Sequence, residues 1–431
     1  TTDVTFITNY PGYDKKVRYS IGPISVQAGD VISAHFQQQL NINSSVNAMA
    51  ACDIVIGTNN AVKDHLSTGY LGFIAKPSGS NVSVAEEGSC EVLSRSGSYQ
   101  FTSAANNIYI NAAVYGGGTN PSTPNWTIPG GGELVAVLES GVSWYKATTM
   151  NLTKEPYRGG ALKFCVPIDG PNLHVQYAVG PVNVPAGSMV DVRHHIQCTS
   201  EVPNGQHQRL GQNLIQGTSA SSTSGLDLSK KSQHGVTWGE HHSTISPVAG
   251  AFYSSGVNNA FFNSVLYAYG SWNSEPLFID GQSDTLYGDM FVEVRPSSAS
   301  NFYQDDVANI SSLNSTQQVL YSIGPLDIDA NQVVEIRYNA AFDPAAGQTT
   351  VISKIVRATS PTATTGTTVQ SALARRFHSN YVFSRIVQST AEKNGSTPLT
   401  GQYYNVVAYR TAGASTCPVM TTWGELEVIK R

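Results

Sequence analysis

The sequence predicts an all-β protein of three tandem β-sandwiches, immunoglobulin-like or jelly-roll, related by internal duplication. Three observations carry this. One phrase is written three times, as VRYSIGPISVQAGDV (17–31), VQYAVGPVNVPAGSM (175–189) and VLYSIGPLDIDANQV (319–333). Self-similarity at a long period marks a repeated supersecondary unit or domain. Between turn residues, apolar positions alternate with polar ones over short runs, which is the period of half-buried strands, and no stretch makes a convincing helix.

Each element can be justified in order. Within the phrase Val17, Tyr19 and Ile21 alternate, Gly22-Pro23 interrupts, and Ile24 and Val26 resume, as in a strand with a kink or bulge. Ala28-Gly29, Ala186-Gly187 and Ala330-Asn331 follow, and Gly and Asn most readily take the positive φ of a tight turn. A second strand starts at once, with Ile32, Ala34 and Phe36, then Val190 and Val192, then Val334, Ile336 and Tyr338 in the three copies. DIVIGT (53–58), NLIQGT (213–218) and KIVRAT (354–359) read as one middle strand, and NAAVY (111–115), NSVLY (263–267) and NVVAY (405–409) as a late one. GELVAV (132–137), GDMFVEV (288–294) and GELEVIK (424–430) close the copies alike. Opening strands are expected in DVTFIT, in ALKFCV and around 301–307.

A length of 431 residues suits about three domains, placed at 1–153, 154–298 and 299–431. The junctions KEPYRGG (154–160) and RPSSASN (295–301) are short, which predicts three beads in a semi-rigid row. Charged residues make up only 13% of the chain, against ~25% in an average soluble protein. A surface wetted by hydroxyls and amides, with the opening TTDVTF, predicts a processed, extracellular, secreted or surface-attached chain. A net charge of -5 and the lack of a Lys/Arg run give no reason for nucleic-acid binding. No stretch approaches the ~20 apolar residues of a membrane span, so no membrane insertion is expected.

Five cysteines in an extracellular chain predict the disulfides Cys52–Cys90 and Cys165–Cys198, leaving Cys417 unpaired. Glycosylation acceptor patterns occur at Asn43, Asn81, Asn125, Asn151, Asn309, Asn314 and Asn394, about as many as composition alone produces. Seven of the ten histidines, His174, His194, His195, His207, His234, His241 and His242, lie in the second copy. Neighbours on a strand face opposite ways, so these read as surface or edge residues, and no metal site or cofactor is expected. DIDAN (327–331) resembles a fragment of a calcium loop but aligns with the turns of the other copies. Trp126 and Trp272 occupy comparable late loops, where they either cap a core or stack on sugar rings.

No metalloprotease, hydrolase-elbow, phosphate-loop or dinucleotide motif is present, and adjacent acids such as Glu86-Glu87 and Asp305-Asp306 diverge on strands, so an enzyme is not expected. The leading expectation is an extracellular structural subunit that polymerises with itself into a fibre. Val4, Phe6 and Ile7 of an unguarded first strand would add to the neighbouring subunit's sheet. The alternatives are a carbohydrate-binding adhesin or lectin and a virion surface or capsid subunit. In architecture the chain resembles tandem immunoglobulin-like surface proteins and fibre subunits.

Overall fold

The computed structural model describes residues 4–6, 14–42, 48–63, 69–73, 82–84, 90–118, 126–128, 132–147, 155–156, 162–166, 173–200, 207–229, 232–237, 241–245, 248–269, 277–279, 288–343, 349–377, 384–412 and 417–431. The threefold phrase forms one long strand in each of three sandwiches: Asp14–Val26, His174–Val184 and Gln318–Ile328. Each pairs antiparallel with its late strand, Ala105–Gly118, Val257–Tyr269 or Leu399–Ala412, through the same register. Tyr19 lies opposite Ala112, Tyr177 opposite Ser264 and Tyr321 opposite Val406, each after an irregularity at the same step. The Gly-Pro bonds at 22–23, 180–181 and 324–325 are all cis. A Cβ on Gly22, Gly180 or Gly324 would collide with the carbonyl oxygen of Ile108, Ala260 or Gln402, so glycine is required there.

The third sandwich shows the full pattern. One sheet runs Phe302–Asp305, Glu425–Lys430, Val333–Phe342, Ser384–Lys393; the other runs Gln318–Ile328, Leu399–Ala412, Thr349–Ala358, Thr367–Phe377. Numbered along the chain, the orders are 1-8-3-6 and 2-7-4-5, which is a jelly roll and not the immunoglobulin order. The second sandwich repeats this with Ser143–Ala147, Gly288–Pro296, Ser188–Ser200 and Val248–Tyr253 in one sheet. Its other sheet holds His174–Val184, Val257–Tyr269, His207–Gly217 and Ser232–Thr237. In the first sandwich Gly132–Glu139, Val31–Ile42 and Cys90–Gln100 face Asp14–Val26, Ala105–Gly118, Ala48–Gly57 and the short strands Tyr70–Phe73 and Val82–Val84.

Between the sheets of each lies a separate apolar core. Phe36, Ile54, Ile110 and Val114 fill the first, Tyr177, Val192, Phe262 and Val292 the second, and Tyr321, Ile336, Val406 and Val428 the third. Outside the cores, an asparagine on each late strand clamps an equivalent loop. Asn111 Nδ2 donates to the carbonyls of Asn59 and Val62, Asn263 to those of Ser219 and Ser222, and Asn405 to those of Ser360 and Ala363.

Two expected placements change. Ser143–Ala147, read as the tail of the first repeat, is hydrogen-bonded to Gly288–Pro296 and belongs to the second sandwich. Phe302–Asp305 is its counterpart in the third and is not the equivalent of the opening strands Val4–Phe6 and Leu162–Val166. That equivalent is Ser312–Leu313, which pairs with Cys417–Pro418 as Val4–Phe6 pairs with Trp126–Ile128 and Leu162–Val166 with Leu277–Ile279. The sequence reading erred because the true third opening strand is only two residues long, too short to show alternation.

Candidate functional site

The most elaborate side-chain arrangement lies between the sandwiches. Two strands of each sandwich, the one after the phrase and the closing one, turn one face into their own core and the other toward the neighbouring sandwiches. Register makes the outward positions equivalent: Ser33 lies opposite Val137, Asp191 opposite Glu293 and Glu335 opposite Ile429. Two residues on, the same face carries His35, Arg193 and Arg337, and the closing strands end toward Glu139, Arg295 and Arg431.

These groups meet. Ser33 Oγ of the first sandwich donates to Glu293 Oε1 of the second at 2.6 Å. Arg193 Nη2 of the second lies 3.2 Å from Glu335 Oε1 of the third, and Arg337 Nη1 of the third donates to Asp191 Oδ1 of the second at 2.6 Å. Arg295 bonds Asp191, Glu293 and Glu139, its contact with the last being 3.1 Å. Arg431 touches all three units: Glu139 at 2.5 Å, Asp191 at 3.2 Å and its own sandwich's Glu335. Four arginines and five carboxylates are thereby gathered at one junction, counting Glu427, 3.4 Å from Arg337.

The same contact recurs in cyclic order. Cys90–Gln100 of the first sandwich packs on Ser188–Ser200 and Gly288–Pro296 of the second. The Gly250 amide on Val248–Tyr253 of the second donates to Glu427 of the third at 3.0 Å. Ser384–Lys393 of the third packs on Val31–Ile42 and Gly132–Glu139 of the first. There Thr390 Oγ1 and Gln370 Nε2 donate to the Glu133 carboxylate at 3.2 and 2.9 Å, and Gln37 Nε2 donates to it at 2.6 Å. First and third sandwiches touch, so the expected row of beads is instead a closed triangle. A heterologous contact repeated at a rotation that closes gives a ring.

Burial sets the electrostatics. Burial opposes the charged form of Glu335, but Arg337 and Arg193 outweigh it and hold the carboxyl well below its usual range. For Glu427 burial wins, helped by Glu425 and opposed by Arg337, and its pKa is raised. Glu133 has only neutral hydrogen-bond donors among the partners named above, and burial pushes its carboxyl up to about 7. His35, within 2.5 Å of Ser96 Oγ, is held down to about 4 by burial and by Arg193, so it is neutral. His194, read from sequence as a surface or edge residue, is fully buried beside Gln212, Ser264 and the Tyr177 ring, and burial lowers it to about 3.

None of the expected site residues whose side chains are described, Cys52, Cys417, Asn309, Asn314 and Asn394, takes part in the ion pairs of this junction. Cys52 is buried in the first core and Cys417 in the third, where burial pushes its thiol up to about 12. Cys90 sits on the sheet opposite Cys52, and Cys165 and Cys198 flank the intervening strand Leu277–Ile279. Two strand spacings are about 10 Å, beyond the ~7 Å Cα separation that a disulfide spans. The side chains of Cys90, Cys165 and Cys198 lie outside the described residues, as do Ile7, Asn43, Asn81, Asn125, Asn151 and Trp272. Val4 and Phe6 pair with Ile128 and Trp126 of their own sandwich, and the Trp126 side chain is outside the described set. Asn309 and Asn314 are exposed. Asn394 is not an acceptor in the folded chain: it is buried, and its Nδ2, the atom a glycan would bond, donates to the carbonyls of Ile328, Asp329 and Thr397. Among the described residues no group of three or more His, Cys, Asp or Glu side chains could hold a metal, and no helix is long and apolar enough to cross a membrane.

Sequence reasoning missed the junction although a signal was present. In a chain with 13% charged residues, VDVR, VEIR, VEVR and GELEV place charges inside strands whose alternate residues are apolar. Such strands face two buried environments.

No protein-family model and no curated protein sequence matches the chain. Similar solved structures include the VP2 subviral particle of infectious bursal disease virus, at 15% identity over 67% of this chain and 71% of that one, with a TM-score of 0.20. The T13 particle of the same virus matches at 15% identity over 67% and 68%, with a TM-score of 0.20. A tandem CBM22 domain of Paenibacillus barcinonensis Xyn10C matches at 11% identity over 68% and 91%, with a TM-score of 0.17. Likenesses this slight carry nothing about function.

Proposed function

We propose that this chain is an extracellular, non-catalytic structural subunit that assembles with copies of itself as a rigid three-sandwich block. Duplication of one jelly roll is the simplest account of the three shared registers. The observation that carries the reading is the closed junction. A chain poor in charge concentrates buried arginines and carboxylates where the sandwiches meet, and such groups fix orientation more than they add stability. Fixed orientation suits a unit that must tile, and a swinging tandem of binding modules has no need of it. The first strand expected to add to a neighbouring subunit, Val4–Phe6, pairs instead with Trp126–Ile128 of its own sandwich, so on this reading assembly proceeds through the block's outer surface. Electron microscopy of native material, with sedimentation of the purified protein across concentration, tests this. Regular shells, sheets or fibres of block-sized units are expected. A strict monomer at high concentration that is retained on a glycan column overturns the reading in favour of the lectin alternative.

A further inference from the structure

The joint between the second and third sandwiches encloses a small cavity. Arg337, Asn339, Glu425 and Glu427 of the third sandwich and Val248 of the second line it, and about 10 Å³ is open to the centre of a water molecule. Arg337 and Asn339 are only 3% and 5% exposed, and each carries one polar atom without a protein partner: Arg337 Nη2, a donor, and Asn339 Oδ1, an acceptor. The Asn339 amide is oriented by its other end, since Nδ2 donates to Glu425 Oε1 at 2.9 Å, where an oxygen could not sit. Burying a donor and an acceptor unpaired is costly, and here both border the same gap.

Register shows why the gap exists. Asn339 lies opposite Glu425 as Gln37 lies opposite Glu133 in the first sandwich, and Gln37 donates to its carboxylate in the same way. At that contact Thr390 and Gln370 of the third sandwich reach across and donate to Glu133. Around the cavity the second sandwich presents Val248, which has no donor to offer.

We propose that this cavity is a binding site for one water molecule, which accepts a hydrogen bond from Arg337 Nη2 and donates to Asn339 Oδ1 and to a carboxyl oxygen of Glu425 or Glu427. The walls select the ligand. A metal cation would meet the Arg337 guanidinium, and a chloride would meet Asn339 Oδ1 and two carboxyl groups. Only a molecule that both donates and accepts satisfies the two unpaired atoms, and a space of this size admits one water and nothing larger. Because Val248 closes the cavity from the second sandwich, the site is complete only while the two sandwiches are joined. The water is therefore part of the junction, and it stands independently of the proposed assembly.

The test is an atomic-resolution crystal structure of the full chain. One density peak is expected in the cavity, about 2.7–3.2 Å from both Arg337 Nη2 and Asn339 Oδ1. An empty cavity overturns the proposal. So does a peak ringed by oxygens at about 2.3–2.6 Å, the contact distance of a calcium ion. In solution, magnetic relaxation dispersion of the solvent counts long-lived buried waters. Val248→Ile adds one methyl to the cavity wall and leaves every polar group in place. It should hold one buried water fewer than the parent, and an equal number overturns the proposal. The crystallographic measurement needs no variant and decides the matter if Val248→Ile does not fold.

Discussion

Within each sandwich the core is mainly apolar, with isolated polar groups such as His194 and the Arg95–Asp53 pair; between the sandwiches the buried contact is dominated by charge. The first kind, as around Phe262 or Ile336, tolerates change in proportion to the volume lost, because dispersion and burial are nearly additive. The second, around Arg337 and Asp191, is a shared network: Asp191 and Glu335 each bond more than one arginine, and one deletion removes a cation from several buried carboxylates at once. Apolar packing makes three sandwiches, and the charged junction makes them one object.

The largest expected effect breaks that junction. Arg337→Met leaves Asp191, Glu335 and Glu427 without their shared cation and should cost ~3–5 kcal/mol. Calorimetry should show one transition for the parent and separate ones for the variant. Phe262→Ala should cost a comparable ~3–5 kcal/mol, yet lower the stability of the second sandwich first. If both variants melt alike, the two regions do not differ in kind.

Arg431→Ala removes the side chain that touches all three units and should cost about 2 kcal/mol by chemical denaturation. Amide exchange should quicken at the contact of the third sandwich with the first more than inside any core.

Glu133 gives a smaller, pH-dependent effect. Its folded pKa of about 7 lies above the ordinary 4.5, so the folded state holds the proton more tightly. Its contribution is favourable at low pH and is lost as pH rises through 7. His35 has the opposite sign: with a folded pKa near 4 against an ordinary 6.5, it costs stability as pH falls from 6.5 toward 4. Glu133→Gln should therefore be more stable than the parent at pH 8, by an order of 1 kcal/mol. The advantage should shrink as pH falls from 7 and vanish below the ordinary 4.5, and a constant offset across pH would show that the carboxylate is not the cause.

Much of the fold was legible because it is local. The phrase, the turns at Gly29, Gly187 and Asn331, and the middle and late strands announce themselves by alternation and positive φ, and all lie where the periodicity put them. The junction was not legible as a site. Its equivalent positions carry different residues, Ser33, Asp191 and Glu335, so no alignment of the copies displays them as a set. Nor does chain connectivity show it. The short links 140–142 and 297–301 hand each closing strand to the next sandwich, which reads equally well as a row or a ring. The contact of the third sandwich with the first, through Glu133 and Glu139, has no covalent link to betray it.

Solution X-ray scattering measures that closure directly. The chain has 431 residues. Folded as one compact ring, it should show a radius of gyration of about 22 Å, whereas three separate sandwiches strung end to end would exceed about 30 Å. A monomer near the smaller value, expanding toward the larger in Arg337→Met under mild denaturant, is the result expected if the charged junction closes the ring. A native monomer already at the larger value would contradict it.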